Sequence, residues 1–114
     1  MTLKWNKCVG AVWCHLETLN LEGVGDVSGV YLIWHGGQSP RWVRVGKGNI
    51  KERLSAHRND PEILQFHQHN LFVTWAAVPG SQQEGVEAYL AAQCNPLVGE
   101  RFPQRTPIPV NLPQ

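Results

Sequence analysis

Six of the ten basic residues, Arg41, Arg44, Lys47, Lys51, Arg53 and Arg58, fall between positions 41 and 58, and the only acid among them is Glu52. A concentrated basic stripe is the electrostatic footprint of phosphate binding. The ordinary alternative is a solvated hairpin rim followed by a solvated helix face. Two features of spacing favour phosphate. Arg53 and His57 stand at i,i+4, so on a helix they point the same way. Gly46-Lys47-Gly48 precedes that stretch, and glycines let backbone N–H groups approach an anion near a helix N-terminus. Other constellations are weaker. His67-Gln68-His69 offers two imidazoles without a third ligand, and Cys8 with Cys14-His15 lacks the spacing of a structural zinc site. No P-loop, dinucleotide-binding glycine fingerprint or nucleophile elbow occurs.

The elements that must position these groups can be read in chain order. Leu3, Val9, Val12, Trp13 and Leu16 recur at helical spacing, which predicts an amphipathic helix over residues 1–17 despite Gly10. Residues 19–26 are glycine-rich and irregular. Gly29–Trp34 and Arg41–Gly46 are β-branched, aromatic or alternating, and the glycines and proline between them predict a hairpin. Asn49, with Glu52 three residues on, is a helix N-cap; Ile50 and Leu54 share one face of the helix that follows. Asp60-Pro61 starts another helix running to about His69. Residues 70–78 predict a third strand, apolar on both faces and therefore central. Ser81 and Glu84 read as a capping box for a helix to about Cys94, stopped by Asn95-Pro96. The segment 101–114 holds four of the eight prolines and reads as extended coil. The sum is an α+β fold, a small three-stranded antiparallel sheet flanked by helices, in a single domain spanning 1–114.

Composition bounds the rest. A chain of 114 residues and 12.8 kDa builds one domain with one core. Hydrophobic residues make up 42% and charged residues 17%, which excludes a disordered chain. The formal net charge of +1 says nothing about a polyanionic partner, so only the local stripe does. The apolar runs are far shorter than the ~18–20 residues that span a bilayer, and no secretion signal is evident. Three cysteines without CxxC spacing point to neither a disulfide framework nor a zinc ribbon, and to a reducing, cytoplasmic setting. Trp34, Trp42 and Trp75 lie on the expected strands, where core packing explains them best.

Gly29-Val30-Tyr31, Arg44-Val45-Gly46, Asn49-x-x-x-Arg53-x-x-x-His57, and Glu87 followed nine residues later by Pro96 form an ordered pattern. It resembles the GIY-YIG nuclease domain over about residues 28–97. The resemblance implies a divalent-metal-dependent endonuclease, a phosphodiesterase cleaving nucleic acid, DNA expected ahead of RNA, with Mg²⁺ or Mn²⁺ as cofactor. It further implies that Glu87 is the metal ligand and Tyr31 the general base or proton relay for the attacking water. Arg53 then holds the scissile phosphate, His57 hydrogen-bonds Tyr31 or the phosphate, and Arg41, Arg44, Lys47, Lys51 and Arg58 form the nucleic-acid face. Glu84, one turn before Glu87, already has a capping task.

This chain departs from the family pattern at two positions. Arg44 stands where the second motif carries a tyrosine, and the asparagine that follows the proline is missing, with Gly99 three residues beyond Pro96. Asn111 replaces it if residues 99–108 loop out. So small a chain has little surface for reading sequence, so structure-selective or weakly specific action, or a targeting partner, is expected. The alternative is a non-catalytic nucleic-acid-binding module on the same scaffold.

Overall fold

The computed structural model describes residues 1–99 and 105–113. Its sheet has four antiparallel strands rather than three, in the order β1-β4-β2-β3. They are β1 (Cys14–His15), β2 (Ser28–His35), β3 (Arg41–Asn49) and β4 (Leu71–Ala77). Three α-helices accompany them, α1 (Ile50–His57), α2 (Pro61–Leu64) and α3 (Gly80–Cys94), so the α+β class holds. As expected from its apolar faces, β4 is interior, between β1 and β2. No helix among the described residues is long and apolar enough to cross a membrane.

Strand alternation divides the core between the two faces of the sheet. On one face Tyr31, Ile33, Val43, Val73 and Trp75 pack with Ile50 and Leu54 of α1, Ile63 of α2 and Leu16. On the other, Val30, Leu32, Val45 and Ala76 pack with Val86 and Leu90 of α3 and with Leu3 and Val110. Local signals set the starts of α1 and α2. Asn49 Oδ1 accepts from Glu52 N at 3.0 Å, and Asp60 Oδ1 accepts from Glu62 N at 3.0 Å with Pro61 in the first turn. The helix after Asp60 ends at Leu64 rather than His69, and residues His67–His69 form a separate 3₁₀ turn. Ser81 and Glu84 do not form a capping box: α3 starts at Gly80 with no side-chain cap, and Glu84 pairs with Arg105 at 2.6 Å. Asn95, in the left-handed region at φ 47°, ends α3 as expected.

The N-terminal helix expected over residues 1–17 is absent. Asn6 N donates to Trp75 O at 2.9 Å and Leu16 N to Leu71 O at 2.8 Å, so this segment lies along β4 as extended chain. A tight turn at Gly10 and Ala11, both with positive φ, lets Cys8 N reach Val12 O, and Cys8 and Cys14 are joined by a disulfide. The apolar spacing that suggested a helix therefore serves two unrelated layers. Leu3 packs on one face of the sheet and Leu16 on the other, while Val9 is 98% exposed. The disulfide also overturns the expectation of unpaired cysteines; only Cys94 is free, and it is buried.

The C-terminal segment is extended, as expected, over 105–113; residues 100–104 and 114 fall outside the described ones, and with them much of the expected 99–108 loop. Its task is to tie the ends together. Asn111 Oδ1 accepts from Leu3 N at 2.6 Å, and Asn111 Nδ2 donates to Leu3 O at 3.0 Å. Both backbone groups of Leu3 are thus satisfied by one side chain, where a strand partner would otherwise be needed. Asn111→Ala is expected to lower unfolding stability by about 1–2 kcal/mol, with an unchanged dependence on denaturant concentration, which a urea titration of the two proteins measures.

Candidate functional site

Tyr31 sits in the middle of β2, paired with Gly46 on β3 and Trp75 on β4. β3 is the outermost strand, and the Tyr31 ring lies across it at Gly46. A Cβ on Gly46 would stand 2.1 Å from the phenol oxygen. Gly48, two residues on and hence on the same face, plays the matching part for Arg53. A Cβ there would meet Arg53 Nε at 3.3 Å, and that Nε donates to Lys47 O at 3.2 Å. The two glycines are therefore the floor on which a phenol and a guanidinium rest.

Helix α1 brings His57 to the phenol. Tyr31 Oη and His57 Nε2 are 2.5 Å apart, joining residues 26 positions apart in sequence. Burial, then the charge of Arg44, holds the imidazole down to a pKa of about 4, so at neutral pH it is uncharged. An uncharged ring that accepts the Tyr31 proton at Nε2 carries its own proton on Nδ1, and Asp60 Oδ2 lies 4.0 Å from that atom. The i,i+3 spacing of His57 and Asp60 was visible in the sequence, but Asp60 read only as a helix cap; it does both.

Glu87 comes from α3, on the opposite face of the sheet from Tyr31. Burial raises the carboxyl pKa of Glu87, while Lys47, Arg44 and Arg53 act in the other direction. Burial likewise raises the Tyr31 phenol, opposed by Arg44 and Arg53, and the charge of Glu87 adds to the rise. Tyr31, Arg44, Lys47, Arg53, His57 and Glu87 thus form one electrostatic cluster. Tyr31 is 1% exposed, Glu87 and His57 8% each, and Arg53 is exposed, so the phenol is closed off from solvent rather than set in an open concavity. Arg44 Nε is buried with no hydrogen-bond partner among the described residues.

Other candidates have structural occupations. The Arg58 guanidinium donates to Leu16 O at 2.8 Å and to Leu19 O, fastening the N-terminal segment to α1. Lys51 pairs with Glu22 at 2.9 Å. The amide of Asn111 is engaged by Leu3. Arg41 is exposed at the far end of β3.

No group of three or more His, Cys, Asp or Glu side chains suited to a metal occurs among the described residues. A single carboxylate still fits Mg²⁺, which keeps several waters and binds through one or two carboxylates plus substrate phosphates. Three cations around Glu87 make that fit conditional on a phosphate that offsets them. Comparison with family models, curated proteins and solved structures finds no match.

Gly46→Ala is expected to force the Tyr31 ring off His57 and lower stability by about 1–3 kcal/mol, read by urea titration of the two proteins. His57 also sets a pH dependence. Because its folded pKa lies below its unfolded one, its stability contribution is complete above about pH 6.5 and is lost as pH falls toward 4, up to about 3 kcal/mol. The raised Glu87 opposes this, its contribution fading as pH rises above the unfolded carboxyl pKa. Urea midpoints between pH 4 and 7 should therefore rise with pH for the wild type and flatten or reverse for His57→Gln.

Proposed function

We propose that this chain is a divalent-metal-dependent phosphodiesterase cleaving DNA, with weak sequence specificity, built as in the GIY-YIG nuclease domains its motifs resemble. The observation that carries the reading is the Tyr31–His57 hydrogen bond, on which the charges of Arg44 and Arg53 act. In this reading Arg53, fixed in charge and planar, holds the scissile phosphate, with Arg44 and Lys47 beside it. The attacking water gives its proton to Tyr31 Oη as the phenol proton passes to His57 Nε2, a transfer that needs the bound phosphate to offset Arg44 and Arg53, since both groups are held neutral without it. The water oxygen bonds to phosphorus, the bridging P–O bond breaks, and the departing oxygen takes a proton from solvent. Glu87 would hold Mg²⁺ or Mn²⁺, which supplies positive charge against the departing oxygen.

A second reading, a nucleic-acid-binding module without catalysis, is favoured by two observations. Tyr31 is 1% exposed, and Arg44 takes the place of a second phenol. The two readings separate in one set of assays on plasmid and branched DNA with Mg²⁺ or Mn²⁺. The nuclease reading expects scission that falls by about 10²–10³ in Glu87→Gln and in Arg53→Ala. The binding-module reading expects salt-sensitive binding weakened by Arg53→Ala, with no scission under either metal. Scission unchanged in Glu87→Gln removes the proposed metal role.

A further inference from the structure

At the opposite end of β3 from Gly46 lies a cavity of about 290 Å³ lined by Trp13, Trp34, Pro40, Arg41, Trp42 and Pro113. The three indoles are held at steep angles to one another. Trp13 and Trp34 have centroids 5.4 Å apart at 86°, and Trp34 and Trp42 are 5.6 Å apart at 67°. All three are half-buried, so each keeps apolar ring surface near solvent. Trp34 is backed by the Phe72 ring, nearly parallel at 5.7 Å, which fixes its plane.

Crossed aromatic rings around a small cavity suit two kinds of ligand, a quaternary ammonium or a flat π-system. Charge decides between them. Among the described residues no carboxylate lines the cavity, Arg41 lines it, and the Lys7 ammonium already sits 4.5 Å from the centroid of Trp13. A cationic ligand would meet two cations with nothing to offset them. A nucleotide suits both features, with its base against the indoles and its phosphate at Arg41. Trp42 packs on the face of the sheet opposite Tyr31, so the cavity is a separate site from the proposed phosphate site.

We propose that this cavity is a stacking subsite for one unpaired base of a single-stranded or flapped nucleic acid, with Arg41 on the adjoining phosphate. The proposal rests on the nucleic-acid reading above but not on cleavage. It gives the chain a selectivity for unpaired strand that a bare basic face lacks.

The test compares two labelled single strands with equal phosphate number, an oligothymidylate and its abasic counterpart, by anisotropy in the full chain. Wild type is expected to bind the base-bearing strand about tenfold more tightly. Trp13→Leu, which keeps apolar bulk but removes the indole, should erase that difference. Trp13→Phe should restore much of it. Arg41→Ala should keep the preference for bases and lower the salt slope by about one. Equal affinity of wild type for both strands overturns the subsite; if DNA is still cut, the nuclease reading survives alone. A base preference without any scission supports the subsite while the nuclease reading fails. Quenching of the indoles by a proline-rich peptide but not by the oligothymidylate overturns the proposal in favour of a peptide groove.

Discussion

A phenol ring can lie across an edge strand only where that strand has no side chain to meet it. That constraint, Tyr31 over Gly46, governs the arrangement of the whole cluster. With the ring turned over the edge, its oxygen reaches Nε2 of His57 on α1 and comes within the field of Glu87 on α3. Helices on opposite faces of a sheet do not ordinarily share a polar site, because the sheet separates them. The charge of Glu87 still acts on the phenol from the other face, and the strand period of two puts the second glycine, Gly48, on the same face as the first. Arg53 occupies that second space, so the phenol and the guanidinium are set side by side by backbone rather than by neighbouring side chains.

The electrostatics of the cluster follow from two opposed causes. Burial favours neutral forms and pushes Tyr31 and Glu87 up and His57 down. Arg44 and Arg53 favour the anions of Tyr31 and Glu87 and further suppress charge on His57, so on the histidine the two causes agree. The cluster sets Arg44, Lys47 and Arg53 around Glu87, with Asp60 beside His57 and Glu84 also acting on Glu87.

What was legible in the sequence was whatever is settled within a few residues. Asn49 and Asp60 announce α1 and α2 because a cap acts over two or three positions, and the hairpin of β2 and β3 follows from alternation and a glycine-rich turn. The N-terminal segment was misread because its partners are remote. Leu3 answers to Asn111, Asn6 to Trp75 and Leu16 to Leu71, and no window of the sequence contains both members of any pair. Glu84 looked like a cap and instead met Arg105, while Arg58 looked like a free cation and instead holds the carbonyls of Leu16 and Leu19. Spacing along the chain identified Arg53 and His57 as a pair on one helix. It could not indicate that the phenol would be nearly closed off from water, since that depends on how α1 settles against the sheet.

The C-terminal segment bears on the cluster although none of its residues enters it. Ile108 N donates to Gly85 O at 3.0 Å, and a Cβ on Gly85 would stand 2.6 Å from Ile108 Cδ1, so the segment presses directly on α3 two residues before Glu87. Leu97 and Val98, just past that helix, donate to the carbonyls of Trp42 and Val43 on β3. The helix is thus held to the edge strand at its far end and clamped by the tail near its start. Prolines suit such a tail, because they limit the conformations lost on ordering and leave few N–H groups in need of partners. Glu87 faces the charges of β3 and α1 from a helix fixed at both ends, and its place in the cluster is a property of the whole fold rather than of α3 alone.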